Sequence, residues 1–249
     1  MKKRKNILKI AIDSPAAAGA GTVAKAISAH YNLFYLDTGK IYRYIAYLKI
    51  KYPEKFQQKF LKSKIETLTI KKLLNKKLLT DEIGTEASII SKIKIIRKMV
   101  YSLQINFAYN PPKKYKGSCL DGRDITYKIV PDADFKFYIT ANIKTRALRR
   151  FKELKSLKKN ISFTEVLKSI KKRDKNDLNR KISPLKKTKD SLLINTTNLT
   201  KRACFLKIKK IIDKDKKFNG NIPRPFKSSF KRIRTTFEQP TFKNKNRRR

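Results

Sequence analysis

One stretch near the start constrains this chain more than any other: Ile10-Ala11-Ile12-Asp13-Ser14-Pro15-Ala16-Ala17-Ala18-Gly19-Ala20-Gly21-Thr22. An apolar run of strand length enters a loop of small residues. The loop opens into a helical pattern with Val23, Ala26 and Ile27 on one face. Where a strand passes through such a loop into a helix, unpaired amides converge and the helix dipole favours an anion. The full phosphate-cradling signature, G-x-x-x-x-G-K-[ST], would place glycine at position 14 and lysine at position 20. This chain has Ser14 and Ala20 there. Gly19, Gly21 and Thr22 remain, so the backbone nest and a hydroxyl survive without the loop's cation. Taken by itself, the stretch fits an ordinary strand-turn-helix equally well.

The rest of the chain repeats the strand-then-helix order. Leu33 to Leu36 reads as a second strand ending in Asp37-Thr38-Gly39, followed by a helix through Ile41, Ile45 and Leu48. Gly117 to Leu120 is a third strand, with Asp121-Gly122-Arg123-Asp124 at its C-terminal end. Phe135 to Ile139 is a fourth, leading to a helix with Ile143, Ala147, Phe151 and Leu154 inward. Ser191 to Asn195 is a fifth, and Phe205, Ile208, Ile211 and Ile212 mark the last helix. This alternation predicts an α/β fold with a doubly wound, parallel five-stranded sheet and right-handed crossovers.

Open parallel sheets bind ligands at the carboxyl ends of their strands. At that edge a carboxylate can hold Mg²⁺ through water, and an arginine can fork onto a phosphate. A polar turn with an internal Arg-Asp pair is the simpler alternative. Ser162-x-x-Glu165 is a capping box that starts a helix buried through Val166, Leu167 and Ile170. Beyond it Arg173, Asp177 and Arg180 share one helical face if the helix persists, as an anion site or as an exposed ion-pair ladder. Arg146, Arg149 and Arg150 lie within one turn and would be solvated on an ordinary surface. A continuous helix is expected from Thr85, with Ile89, Ile93, Ile96, Val100 and Leu103 along one face, ending before Asn110-Pro111-Pro112. Residues 53–84 show no usable period. The single histidine, His30, reads as a solvated residue at a helix C-terminus.

The formal charge is +45, an extreme that suits nucleic-acid binding by counterion release. The excess is mostly lysine and is spread along the whole chain, which fits a biased coding composition better than a binding face. Only from residue 214 does it concentrate: 13 Lys or Arg stand against two acids, interleaved with Phe218, Phe226, Phe230, Phe237 and Phe242. Residues 213–249 therefore read as a basic, disordered tail that could hold single-stranded RNA or an acidic protein face, or could have no role. Cys119 and Cys204 match no metal or redox spacing, as in a reduced cytosolic protein. The basic start imitates a signal peptide, but Lys9 breaks its apolar run, and no stretch approaches a membrane span.

Several segments in order and register resemble bacterial cytidylate kinases. They are the stretch from Ile10 to Thr22, Leu36-Asp37-Thr38-Gly39-Lys40-Ile41-Tyr42-Arg43, Leu120-Asp121-Gly122-Arg123-Asp124, Val130-Pro131-Asp132-Ala133-Asp134, and Arg173-Asp174-Lys175-Asn176-Asp177-Leu178-Asn179-Arg180. The resemblance implies a P-loop nucleoside monophosphate kinase domain over residues 1–212, with a helical acceptor-binding insert at 53–110 and a lid at about 146–180. It implies transfer of the ATP γ-phosphoryl group to CMP or dCMP with Mg²⁺, in a cytoplasmic monomer. Carried over residue by residue, ATP would lie on Ser14, Pro15, Ala16, Ala17, Ala18, Gly19, Ala20, Gly21 and Thr22, with Mg²⁺ near Thr22 and Asp121. CMP would meet Thr38, Tyr42, Arg43, Ser88, Arg123, Asp124 and Asp177, the last suited to accept from the cytosine amino group. Arg123, Arg146, Arg173 and Arg180 would serve the transferring phosphate. Ser14, Ala20 and the Thr126-Tyr127 pair depart from the family pattern, which has Gly, Lys and Gly-Thr there. Loss of the loop lysine strikes at phosphoryl transfer, which depends on charges aimed at the moving group. A slow kinase, rescued in part by a lysine such as Lys40, and a non-catalytic binding module are the two functions this leaves open.

Overall fold

The computed structural model describes residues 7–156 and 160–215. The apolar run that leads into the small-residue loop forms β1 (Leu8–Asp13), the middle strand of a five-stranded parallel sheet. It pairs with β3 (Gly117–Gly122) on one side and β4 (Phe135–Thr140) on the other. The outer strands are β2 (Leu33–Asp37) and β5 (Leu192–Asn195), giving the order β2-β3-β1-β4-β5. Strand side chains alternate between two cores. Ala11 faces one, and Ile10 and Ile12 the other.

Two helices, α1 (Ala20–Tyr31) and α9 (Lys201–Asp213), cover the Ile10 face with Val23, Ile27, Phe205, Ile208 and Ile212. The opposite face is covered by α2 (Gly39–Lys51) and by an insert of α3 (Gln58–Glu66), α4 (Ile70–Leu73), α5 (Asp81–Ile90) and α6 (Lys94–Tyr109). The segment that lacked a sequence period thus folds as short helical pieces, pinned by Leu61, Ile65, Leu73 and Leu78 in the common core. A third, small core joins α7 (Ile143–Ser156) to α8 (Phe163–Asn179) through Ala147, Leu154, Val166 and Ile170, with Ala17 of the loop against it. The capping box at Ser162 and Glu165 is formed.

Three expectations change. The helix expected to run unbroken from Thr85 is two helices meeting at a corner. Ile90 is fully buried, while Ile89 is 47% and Ile93 38% exposed. Ser91 Oγ donates to the Ser88 carbonyl at 3.0 Å, and Ile93 takes an extended backbone as the residue before α6. α8 stops at Asn179, so Arg180 follows the helix instead of sharing its face. His30 is packed edge-on against Tyr31 and Phe205, with ring centroids 4.7 and 5.5 Å away, and is half-buried instead of freely solvated. The tail expected from residue 213 lies, from 216 onward, outside the described residues. No helix among the described residues is long and apolar enough to cross a membrane.

Candidate functional site

The loop after β1 is built to face its amides one way. Gly19 precedes α1 in the left-handed region (φ 89°), where a side chain is strained, and no side chain caps the helix. The amides of the first helical turn have no partner within a helix, so they are left for a ligand. Among the described non-glycine residues only Ala17, Asn32 and Ser183 adopt positive φ. Ser14 therefore takes the motif's first glycine position without backbone strain, its amide donating to the Gly122 carbonyl at 3.1 Å. The loop carbonyls point to the rear. That of Ala16 accepts from Arg146 Nη1 at 3.0 Å, and that of Ala18 accepts from Thr196 Oγ1 at 2.9 Å and Arg149 Nη1 at 3.4 Å. Ala20 is the first residue of α1, and its methyl is buried in the core with Ile10 and Val23. The three arginines of α7 are thus drawn inward, with Arg146 buried and Arg149 and Arg150 half-buried.

Two acids stand beneath this loop. Asp13, fully buried, accepts from the amides of Ile125 and Thr126 at 2.8 and 2.9 Å and from Thr126 Oγ1 at 2.6 Å, which fixes the turn after β3. Burial pushes its pKa up to about 6 in spite of those bonds. Asp121 accepts from Tyr35 Oη at 3.0 Å, and its other oxygen lies 3.4 Å from where a Cβ on Gly21 would be. Burial, then the charge of Asp37, push Asp121 up to about 8. Thr38 donates both its amide, at 3.1 Å, and its hydroxyl, at 2.8 Å, to the Asp121 carbonyl, so it ties β2 to β3.

Arginines converge on the same sheet edge. Arg123 Nε donates to Asp177 Oδ2 at 2.7 Å, and Arg180 Nη1 lies 3.7 Å from Asp177 Oδ1. Burial works against the Asp177 charge, but Arg123, Arg180 and Arg173 outweigh it and hold the carboxyl below its ordinary range. Arg43 Nη1 donates to the carbonyls of Leu78 and Thr80 at 2.7 and 3.0 Å. It passes over Gly84, where a Cβ would come within 2.8 Å of Arg43 Nη2. Arg173 is the exception: its Nε is buried with no hydrogen-bond partner. Burial first, then Arg43 and Arg123, bring its guanidinium down to about 10. Asp177 is the carboxylate beside it, but arginines outnumber carboxylates here and the buried Nε is left for an anion.

Beside this cluster is a second set of unmet donors and acceptors. Arg97 of α6 pairs with Asp124 in the interior and donates to the Ser91 carbonyl at 3.1 Å, with its guanidinium 5.5 Å from the Tyr42 ring centroid. Ser91 Oγ accepts from Arg180 Nη1 at 3.3 Å. Ser88 Oγ, Arg97 Nε and Arg180 Nη2 are buried without partners. These contacts link Ser88, Ser91, Arg97, Asp124 and Tyr42 to Arg180 of the arginine cluster.

A model of the family described as cytidylate kinase matches residues 10–214. The chain belongs to the cytidylate kinase family. It is 41% identical over 216 residues to a cytidylate kinase of Bartonella bacilliformis, covering 84% of this chain and 95% of that protein. It is 39% identical over 219 residues to one of Clostridium botulinum, covering 84% and 99%. A crystal structure of an uncharacterized protein from Eubacterium ventriosum shares the fold at TM-score 0.50 and 16% identity, covering 84% of this chain and 99% of that one.

Within this cytidylate kinase fold, Arg43, Arg123, Arg173, Asp177 and Arg180 lie near one another. Tyr42, Ser88 and Asp124 belong to the adjoining set around Arg97 and Ser91. Arg146 is committed, donating to Ala141 and Ala16 at 2.9 and 3.0 Å and pairing with Asp174 at 2.6 Å, so it braces the loop against α8. Arg97 and Ser91 went unnoticed in the sequence. Arg97, Val100, Gln104 and Ala108 are all buried, at helical spacings of three, four and four, and a charge on a buried stripe is the signal that could have found it.

Proposed function

We propose that this chain transfers the γ-phosphoryl group of ATP to CMP or dCMP. The observation that carries this reading is Arg173, whose buried Nε has no partner and whose guanidinium is crowded by Arg43, Arg123 and Arg150 with Asp177 beside it. Such crowding suits a nucleotide phosphate held across from the uncapped start of α1, where the phosphates of ATP would rest on backbone amides. The base of the acceptor would lie against Ser88, Ser91, Arg97, Asp124 and Tyr42. Asp124 or Asp177 would accept from the cytosine amino group, and uracil would turn its O4 acceptor to the same carboxylate. Phosphoryl transfer needs little beyond this positioning and charge, which the retained arginines supply on the acceptor side.

Thr22 and the half-buried Asp121 are the residues that would hold Mg²⁺ with ATP. The fit rests on two neighbouring acids, Asp121 and Asp37, whose mutual repulsion a cation would relieve. The ion would neutralise phosphate oxygens. A cytoplasmic monomer fits this reading. We also propose that residues 214–249 hold single-stranded RNA through basic residues and interleaved phenylalanines. Removing them should weaken RNA binding and flatten its salt dependence while CMP binding is unchanged. The test of the main reading is a coupled assay with ATP, Mg²⁺ and a panel of nucleoside monophosphates. CMP and dCMP should react and UMP should trail by at least about tenfold, as expected for one unmet buried hydrogen bond. Binding of CMP and ATP without any turnover would favour the non-catalytic reading.

A further inference from the structure

α7 sends Arg146 and Arg149 to the loop and Arg150 to the Leu79 carbonyl of the insert, and two of the three are neutralised. Arg146 pairs with Asp174 at 2.6 Å, and Arg150 pairs with Glu153 at 2.9 Å. Arg149 differs. Among the described residues its guanidinium meets only oxygens of neutral groups: Thr196 Oγ1 at 2.9 Å, the Thr196 carbonyl at 2.6 Å and the Ala18 carbonyl at 3.4 Å. Thr196 is itself fixed, its amide donating to the Thr140 carbonyl at 2.7 Å and its hydroxyl to Ala18 at 2.9 Å. Arg149 Nη1 lies 3.8 Å from the position of a Cβ on Gly19, the residue that opens α1. A full, uncompensated positive charge is therefore clamped against the rear of the one loop whose own cation has been replaced by Ala20.

We infer that Arg149 is the positioning residue for ATP on this lysine-free loop. It holds the Ala18 carbonyl to the rear, so that the loop amides face the phosphates. Its charge adds to the field of the α1 N-terminus from behind. The inference rests on the reading of the loop as the ATP site. It also predicts a dependence on position 20: where a lysine already stands in the loop, less of the phosphate charge remains for Arg149 to balance.

The test is ATP and CMP affinity, measured by calorimetry, for the full chain and for Arg149→Gln and Arg149→Lys, each alone and combined with Ala20→Lys. Glutamine keeps a donor for Thr196 and Ala18 but removes the charge. Lysine keeps the charge. Arg149→Gln should weaken ATP about tenfold, as expected for one charge acting through a partly solvated gap, and leave CMP within about twofold. Arg149→Lys should stay within about threefold of the parent for ATP, since its charge is kept. In the Ala20→Lys background the Arg149→Gln loss should shrink to about threefold or less by the same measure of coupling. Equal losses in both backgrounds, a parallel loss of CMP, or parent-like ATP affinity in Arg149→Gln would each overturn the inference. CDP formation by the parent reports separately on the kinase reading. A parent that turns over but whose ATP affinity ignores Arg149 refutes the inference alone. One that binds ATP through Arg149 without forming CDP refutes the kinase reading alone, and one that binds no ATP refutes both.

Discussion

Arg97 of α6 and Asp124 of the turn after β3 form an ion pair in the interior, with side chains 7% and 5% exposed. The pair crosses from the helical insert to the sheet edge, and it sits under the Tyr42 ring beside the unmet Ser88 hydroxyl. A charge buried this far is tolerable while its partner remains and costly once that partner is gone.

Asp124→Ala should therefore destabilise the fold by about 3 to 5 kcal/mol, the range for stranding one member of a buried pair. Arg97→Met combined with Asp124→Ala should cost less than the sum of the two single changes, because neither leaves a bare charge behind. Urea unfolding of the four proteins measures the coupling. Additive losses would mean that the pair is solvated in solution.

Arg173→Gln should separate binding from stability. Removing one cation from a cluster of four relieves repulsion, so the melting temperature should stay level or rise. Affinity for CMP should fall by about tenfold or more, the usual effect of removing a charge-assisted contact to a phosphate. A variant that loses stability and binds CMP normally would place Arg173 in the framework and not in the site.

Asp13 sets a pH dependence. Its folded-state pKa is raised by burial to about 6 from an ordinary 3.8, so the native chain holds this proton more tightly than the unfolded chain does. Its contribution to stability is most favourable below about pH 4 and declines as pH rises to about 6, by about 2 to 3 kcal/mol in total. Asp13→Asn removes that titration. The stability difference between parent and variant should drift against the parent between pH 4 and 6 and stay flat above 7. A drift in the opposite direction would mean that the bonds from Ile125 and Thr126 outweigh burial.

Much of this was legible in the sequence because the informative residues are neighbours. β1, the small-residue loop and α1 follow one another, and the change of hydrophobic period across them is abrupt. The capping box at Ser162 and Glu165 is equally local. The corner at Ser91 was hidden because Ile89, Ile93 and Ile96 carry a helical spacing through a break that Ser91 and Ile93 make with their backbones. Arg97 was hidden for a different reason: its partner, Asp124, is 27 residues away, and only the fold brings them together. The contacts of Arg146 and Arg149 with the loop carbonyls are likewise a matter of tertiary packing.

Position 20 carries the chemical cost of this loop. The Ala20 methyl is buried at the first residue of α1, so a lysine there would start from the core and carry its ammonium outward along its stem. Ala20→Lys should raise turnover by about 10²-fold or more, by analogy with restoring one preorganised group at a developing charge. Steady-state rates at saturating ATP and CMP provide the readout. No gain would mean that the defect extends beyond the missing cation.

On the kinase reading, the phosphoryl group passes from ATP to a cytidine nucleotide on a loop without a lysine. The most direct measurement uses ATP labelled at the γ-phosphate, with Mg²⁺, CMP and enzyme in excess over label, and follows where the label goes. The label should appear in CDP, slowly in the parent and about 10²-fold faster in Ala20→Lys, the factor expected for one restored charge, as the kinase reading requires. Label that stays in ATP or appears only as inorganic phosphate, while CMP and ATP are both bound, would contradict it.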